Sequence, residues 1–381
     1  MKTLKTLSIL ILMTATLLTS CSKGALDPDP TPDPNPNPPT DQMADRVEGR
    51  VVAAYVTYYG SALPDPKYVT HIMYAFAELY VENGVYKGFK LKGGETRFKN
   101  VMGLKQQNPN IKILLSFSHT VSNSDNSQGG GFSALAKSAE YRSKFAEDCL
   151  NYINAKGLDG VDIDWEFPGI SWSGHACDPK VDVENHVLLL KALREKFGSA
   201  KLVTYAGYVM DKQKSTSSSG GWKYIDISAA NPYVDFVNIM SYDMDADGKP
   251  HNALSNSKAY RDCKRAVQSY LNAGVKAEKL VLGIPFYGRR SFSGSNAAIS
   301  YKAIMKLGAE YVKENWDNTS SVPYVSYNGA YYCSYDNPKS IGLKGSWLLS
   351  LGMKGMMYWE CDQDDSSRTL AKAVWNSTMA K

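Results

Sequence analysis

No Cys-x-x-Cys pair, no basic run and no glycine-rich phosphate loop occurs in this sequence, and each absence closes off a class of function. Without a second ligand pair at zinc-site spacing, His175-Ala176-Cys177 does not read as a metal centre. Lys and Glu are interspersed, and the formal net charge is only +5 over 381 residues, so charge points to no nucleic-acid partner. With Cys21 set aside, Cys149, Cys177, Cys263, Cys333 and Cys361 form an odd, widely spaced set from which no disulfide pairing can be read. Cys149 stands at helical spacing from Phe145 and Ile153, which fits a buried core thiol. What remains is 43% hydrophobic, with 25 Tyr and 7 Trp: ample for a large core, and rich in rings that stack on flat ligands.

The N-terminus is of another kind. Lys2 and Lys5 precede an apolar run from Leu7 to Leu18, then Leu18-Thr19-Ser20-Cys21. The run is too short for a permanent membrane helix and reads as a signal peptide, residues 1–21. Its end resembles the lipobox of bacterial lipoproteins, which implies lipidation at Cys21; a cleaved signal with a chance cysteine is the plainer reading. The expectation is a chain lipid-anchored to a bacterial membrane outside the cytoplasm. Residues 27–39, DPDPTPDPNPNPP, favour extended polyproline geometry at about 3.1 Å per residue, a stalk of about 40 Å. The linker is placed at 22–46 and the folded domain, expected to act as a monomer, at 47–381.

Strand-like apolar runs cover 51–59, 70–77, 111–117, 158–167, 201–208, 234–243, 279–288 and 353–360. Helical patterns at about 98–107, 138–156, 183–197, 257–273 and 338–351 lie between them, with a further helix expected near 301–315. Eight strands separated by helices predict a (β/α)8 barrel in one domain. A doubly wound open sheet is the competitor, set back because no phosphate loop follows the first run.

One of these runs, LDGVDIDWEFP at 158–168, carries four carboxylates where a buried strand is expected. Strand alternation points Asp162, Asp164 and Glu166 one way, into the barrel, and Asp159, Val161, Ile163, Trp165 and Phe167 the other. Three carboxylates climbing toward the C-terminal mouth cannot all ionise in a confined interior, so at least one holds a proton at neutral pH, as a general acid requires. A salt-bridged or cation-binding cluster is the structural alternative.

The stretch Asp159-Gly160-Val161-Asp162-Ile163-Asp164-Trp165-Glu166 resembles the DxxDxDxE signature of glycoside hydrolase family 18, the chitinase family. THIMYAFA, FVNIMSYD, KLVLGIPFYGR, YDNPKSI and GMMYWE resemble further motifs of that family in the same order. The resemblance implies substrate-assisted, retaining cleavage of β-1,4 bonds next to N-acetylglucosamine, with no cofactor or metal. Carried over, Glu166 would be the general acid, Asp164 would hold the acetamido N–H, and Asp162 would share a proton with Asp164. Tyr242 and Asp243 match positions that bind the acetamido group and a sugar hydroxyl, and Trp359 matches the tryptophan beneath the reacting sugar. Tyr55, Phe76, Met240 and Arg289 match binding positions, with core or surface roles as the alternative for each. Asp159 would be structural.

Two departures stand out. After the third strand the family shows SxGG and then Trp, whereas this chain reads Ser116-Phe117-Ser118-His119-Thr120; Trp172 or Trp222 would have to supply the missing aromatic. Between strands seven and eight the segment is short, so a full α+β insertion domain is not expected, and an open cleft suited to endo cleavage is. Two other substrate readings stay open: an endo-β-N-acetylglucosaminidase acting on the chitobiose core of N-glycans, and a non-catalytic glycan-binding protein.

Overall fold

The structure is a computed structural model that describes residues 43–121, 131–170, 176–209, 225–256, 261–295 and 297–381. Cys21, Trp172, Trp222, the side chain of Thr120 and most of the linker lie outside the described residues. The first half of the domain runs β1 (Val51–Thr57), β2 (His71–Glu82), β3 (Val85–Leu91), α1 (Glu95–Gln107), β4 (Lys112–Val121), α2 (Gly131–Lys137), α3 (Ala139–Lys156), β5 (Gly160–Asp164), α4 (Asp182–Phe197) and β6 (Leu202–Gly207). Then follow α5 (Ile227–Ala230), β7 (Phe236–Ile239), α6 (Cys263–Asn272) and β8 (Leu280–Pro285). The remainder is β9 (Tyr287–Arg289), β10 (Ala298–Ser300), α7 (Tyr301–Met305), β11 (Tyr311–Asp317), β12 (Val322–Tyr327), β13 (Ala330–Ser334), α8 (Pro338–Ser350), β14 (Gly355–Trp359) and α9 (Thr369–Met379).

Eight of the strands pair in parallel in the order β1, β14, β8, β7, β6, β5, β4, β2, and β1 pairs with β2 to close the ring. This is the (β/α)8 barrel that the alternation of runs predicts. Every residue of β1 and β8 is buried, as strands packed between a filled interior and a helical ring must be. The strands approach closely where β5 begins. A Cβ on Gly160 would stand 2.2 Å from the Leu202 carbonyl oxygen, so only glycine fits at the foot of the acidic strand.

Local chemistry explains the helix ends that matter most. Ser138 caps α3 by accepting from the Tyr141 N–H, and Gly157 ends it in the left-handed region at φ 71°. Asn337 and Ser340 form a reciprocal cap on α8, with Pro338 in its first turn.

Three expectations need correction. The run at 111–117 does not break after Phe117: β4 continues to Val121, which lies opposite Leu79 of β2. The backbone there is strand, in parallel register with β2. The helix expected over 301–315 is only α7, because β11 begins at Tyr311. Finally, the segment between β8 and β14, although short, folds as α+β structure, with β10, β9, β13, β12 and β11 forming a five-stranded antiparallel sheet in that order. Its β12–β13 connection is an Asn328-Gly329 turn with φ 49° and 78°, and Asn83-Gly84 at 50° and 75° likewise joins β2 to β3. Both are two-residue turns of the kind that right-twisted hairpins favour.

Candidate active site

Four strands surround Asp162 with donors. Tyr55 of β1 and Ser116 of β4 donate their hydroxyls to Oδ2, each at 2.8 Å. Thr204 of β6 donates to Oδ1 at 2.6 Å, and the Asn238 amide of β7 reaches Oδ1 at 3.3 Å. Burial raises the Asp162 carboxyl, and these donors pull it back without cancelling the rise. All four acceptor positions on its two oxygens are thus engaged. The expected proton shared between Asp162 and Asp164 is not the arrangement seen.

Asp164 instead hydrogen-bonds Glu166, one step nearer the mouth. Burial, then the charges of Glu166 and Asp162, push Asp164 well above the ordinary carboxylate range. Burial also dominates at Glu166, with the Asp164 bond pulling down and Asp243 pushing up, which leaves Glu166 at about 7. Two carboxyls so placed hold one proton between them at neutral pH. The Oδ1 atom of Asp164 is enclosed and has no hydrogen-bond partner among the described residues.

Above this pair opens a cavity of about 500 Å³ at the C-terminal ends of the strands. Of the residues singled out from sequence, Tyr55, Phe76, Asp164, Glu166, Met240, Tyr242, Asp243, Arg289 and Trp359 line it, with Asp162 one layer beneath. Trp359 has Phe76 stacked against it at 5.8 Å and 25°, and Tyr55 tilted at 5.5 Å. Together they make an apolar floor. Among the described residues the Tyr242 hydroxyl has only a 4.0 Å approach to Met357 Sδ, a poor acceptor. Burial first, then the nearby Asp164 and Glu166 charges, raise that hydroxyl well above 10, so it remains an O–H donor.

The opposite wall is charged. Asp243 adopts φ 54° just beyond β7, and Arg289 clasps it with two nitrogens, Nη2 at 2.8 Å from Oδ2. Burial alone would raise the Asp243 carboxyl; His251, whose Nδ1 lies 3.3 Å from Oδ1, and Arg289 outweigh it and hold it at about 2.

Some placements were not foreseen. Regular strand ends at Asp164, so alternation no longer governs Phe167, which lines the cavity and stacks on Tyr208 at 5.6 Å rather than facing the helices. Trp165 does face outward and stacks on Phe132 at 5.3 Å. Asp159 also faces out, bonded to Lys105 at 2.6 Å and to the Ile113 N–H at 2.8 Å. Tyr287, Phe292 and Ala298 of the antiparallel insertion line the cavity too, so the cleft is walled on that side rather than open. No sequence pattern marks Phe292 or Gln363, which reach the cavity from the connections after β9 and β14. Among the described residues no cluster of three or more His, Cys, Asp or Glu side chains suits a metal ion.

The same set of elements recurs in known proteins. The model of Glycosyl hydrolases family 18 matches residues 51–364. Chitinase A1 of Niallia circulans is 28% identical over 82% of this chain, and Chitinase 1 of Aphanocladium album is 28% identical over 77%. The chain spans 55% of the length of the first and 75% of the second. Among solved structures, a family 18 N-acetylglucosaminidase from Paenibacillus barengoltzii superposes with a TM-score of 0.72 at 25% identity, covering 86% of this chain and 99% of that one. A Group IV chitinase from Ostrinia furnacalis gives 0.71 at 25% identity, covering 87% of this chain and all of that one. With barrel, cavity and carboxylate ladder in the same chain as the matched segment, this protein belongs to glycosyl hydrolases family 18 and is a chitinase-like glycosidase.

Proposed function

We propose that the protein cleaves β-1,4 linkages in polymers or oligomers of N-acetylglucosamine, with retention of anomeric configuration and with assistance from the substrate's own acetamido group. The observation that carries this is the Asp164–Glu166 pair, which brings a carboxyl titrating near 7 and an unpartnered carboxylate oxygen to the floor of one aromatic cavity. In the reacting state the shared proton sits on Glu166. It passes to the glycosidic oxygen as the C–O bond breaks, while the acetamido carbonyl oxygen bonds to the anomeric carbon and forms an oxazolinium ion.

Asp164 Oδ1 accepts the acetamido N–H and faces the positive charge that develops on that group. The Tyr242 hydroxyl donates to the acetamido oxygen. Water then opens the ring, giving its proton back to Glu166. Asp162, fixed by four donors, keeps its negative charge beneath the pair and favours the cationic intermediate. Trp359 supports the sugar's C–H face, and Asp243, held ionised, accepts from a sugar hydroxyl.

Product analysis with a β-1,4-linked N-acetylglucosamine tetramer tests this, with Glu166→Gln as the blank and early anomers read by NMR. The expected result is a β-anomeric product released by the parent alone. An α-anomeric first product would sink the mechanism, and cleavage confined to an N-glycan chitobiose core would replace the substrate. We further propose that the enzyme acts outside the cytoplasm, anchored through lipid on Cys21. Mass spectrometry of the mature N-terminus checks it, with a diacylglyceryl mass at Cys21 expected and an unmodified start at another residue the contrary result.

A further inference from the structure

Asp243 stands beyond the end of β7, with its backbone in the left-handed region at φ 54°. That conformation is uncommon for a residue with a side chain and persists where neighbouring groups hold it. Here the holding groups are side chains. The Tyr208 hydroxyl donates to the Asp243 carbonyl at 2.7 Å. His251 brings its Nδ1 to 3.2 Å from the Asp243 nitrogen and 3.3 Å from Oδ1. Nδ1 serves one of these at a time: with a lone pair it accepts the backbone N–H, and with a proton it donates to the carboxylate. The far nitrogen, Nε2, is enclosed and has no hydrogen-bond partner among the described residues, so no bond at that end ties the proton to either nitrogen.

His251 is itself fixed from behind. It is fully buried, its N–H donates to Ser334 Oγ at 3.0 Å, and its carbonyl accepts the Met244 N–H at 3.1 Å. Ser334, in β13, lies in register with Arg289 of β9, which clasps the same carboxylate. The next residue, Asn252, donates its amide to Asp336 Oδ2 at 2.8 Å, and Asp336 is paired at 2.7 Å with Lys344 of α8, both fully buried. Losing either partner would leave a bare buried charge, so the pair keeps Asn252, and His251 beside it, in one place. Arg289, within the insertion sheet, and His251, tied to it, thus reach Asp243 together. Arg289 fixes the carboxylate and Tyr208 the backbone; His251 touches both.

We propose that His251 is a positioning residue of this active site: its Nδ1, shared between the N–H and the carboxylate of Asp243, fixes where that carboxylate meets the sugar hydroxyl. The proposal rests on the reading above, in which Asp243 accepts from that hydroxyl, and adds what aims it. Displacement by about 1 Å is enough to cost a group in an active site much of its effect on rate. The insertion sheet then does more than wall the cleft, because through Ser334 it keeps this acceptor aligned with the barrel.

The test is a double-mutant cycle on kcat/KM for the N-acetylglucosamine tetramer, made in the full-length protein. His251→Leu should lower kcat/KM about tenfold in the parent, the value of one hydrogen bond to a charged group, and less than about twofold in the Asp243→Ala protein, where no acceptor remains to be aimed. His251→Asn, whose amide reaches the place of Nδ1, should stay within about threefold of the parent. An equal loss in both backgrounds overturns the proposal, since damage elsewhere in the fold would give it. So does an asparagine variant as poor as the leucine one, or a leucine variant equal to the parent. Should thermal melting show the leucine variant unfolded, His251→Gln replaces it in the cycle with the same expectations, because its amide reaches the place of Nε2 instead. If the parent does not cleave the tetramer, or Asp243→Ala cleaves it as well as the parent, the reading of the site fails first and the role of His251 with it.

Discussion

Two carboxylates face each other across one cavity and are driven in opposite directions. At the end of β5, Glu166 pairs with no cation among the described residues, and burial leaves it at about 7. Beyond the end of β7, Asp243 is about a third exposed and clasped by Arg289 and His251, and it stays near 2. A barrel mouth can thus keep one acid protonated and another ionised at the same pH, provided that a neighbouring strand supplies a cation to only one of them. In the proposed mechanism the first gives a proton and the second accepts a hydrogen bond.

The largest effect should come from breaking the protonated side. Glu166→Gln keeps the shape but has no proton to give, and kcat should fall by about 10³-fold or more, as loss of a general acid does. Binding of the tetramer should stay within a few-fold of the parent, read by titration. A variant that kept a tenth of parental kcat would remove Glu166 from the acid role.

Next comes the layer beneath. Asp162→Ala would remove the acceptor of four buried donors, on Tyr55, Ser116, Thr204 and Asn238, of which the Asn238 amide keeps a 3.3 Å approach to the Tyr55 hydroxyl and Thr204 a 3.5 Å approach to the Val161 carbonyl. At about 1–3 kcal/mol for each buried group left unsatisfied, partly relieved by water entering the space, the variant should lose several kcal/mol of stability. Denaturant unfolding monitored by tryptophan fluorescence measures this. A loss below 1 kcal/mol would mean that Asp162 does not organise the ring of donors.

How much of this contrast was legible beforehand follows from where each group sits. Asp162 and Asp164 lie within a strand, so period-two alternation placed them, and the eight runs that carry the barrel could be read because strands buried on both faces are almost continuously apolar. Phe167 was misplaced because alternation was extended past Asp164, where the strand stops. The insertion sheet was missed although one of its signals was present: Asn328-Gly329, between β12 and β13, is a hairpin turn in the sequence itself. Its flanking strands are short and half-polar, and a search for helices between barrel strands passes over them. Phe292 and Gln363 had no signal at all: a tertiary tie between Lys302 and Asp362 fixes the segment that carries Gln363, and Phe292 reaches the cavity beside the Arg289 guanidinium.

The contrast sharpens when its ionised side is neutralised. Asp243→Asn removes a charge that helps burial to raise Glu166, so the basic limb of the kcat/KM profile, where activity is lost as Glu166 ionises near pH 7, should move down by up to about one unit. The sign for stability is opposite in kind. A carboxyl held at about 2 contributes stability that is present above its unfolded value near 4 and is lost as pH falls from there to 2. Melting curves of the parent should show that component between pH 4 and 2, and those of Asp243→Asn should lack it. A basic limb that moved upward in the variant would show that the two carboxylates do not sense each other as described.

The smallest effect belongs to the carboxylate that shares the acidic motif but not the cavity. Asp159 faces outward, where Lys105 lies at 2.6 Å and the half-exposed Lys112 at 3.4 Å, and its Oδ2 accepts the Ile113 N–H that opens β4. Burial would raise this carboxyl, but the Lys105 bond, the Ile113 N–H and Lys112 together hold it below its ordinary value. Asp159→Asn keeps an acceptor for the backbone N–H and loses only partly solvated ion pairs, so it should cost about 1 kcal/mol. It should leave the pH profile of kcat/KM where the parent has it, because no charge within the barrel changes. Had all four carboxylates of the motif acted as one electrostatic unit, removing Asp159 would shift the Glu166 limb as removing Asp243 does. A profile that moved with Asp159→Asn would therefore erase the division between inward and outward faces of β5 on which the contrast depends.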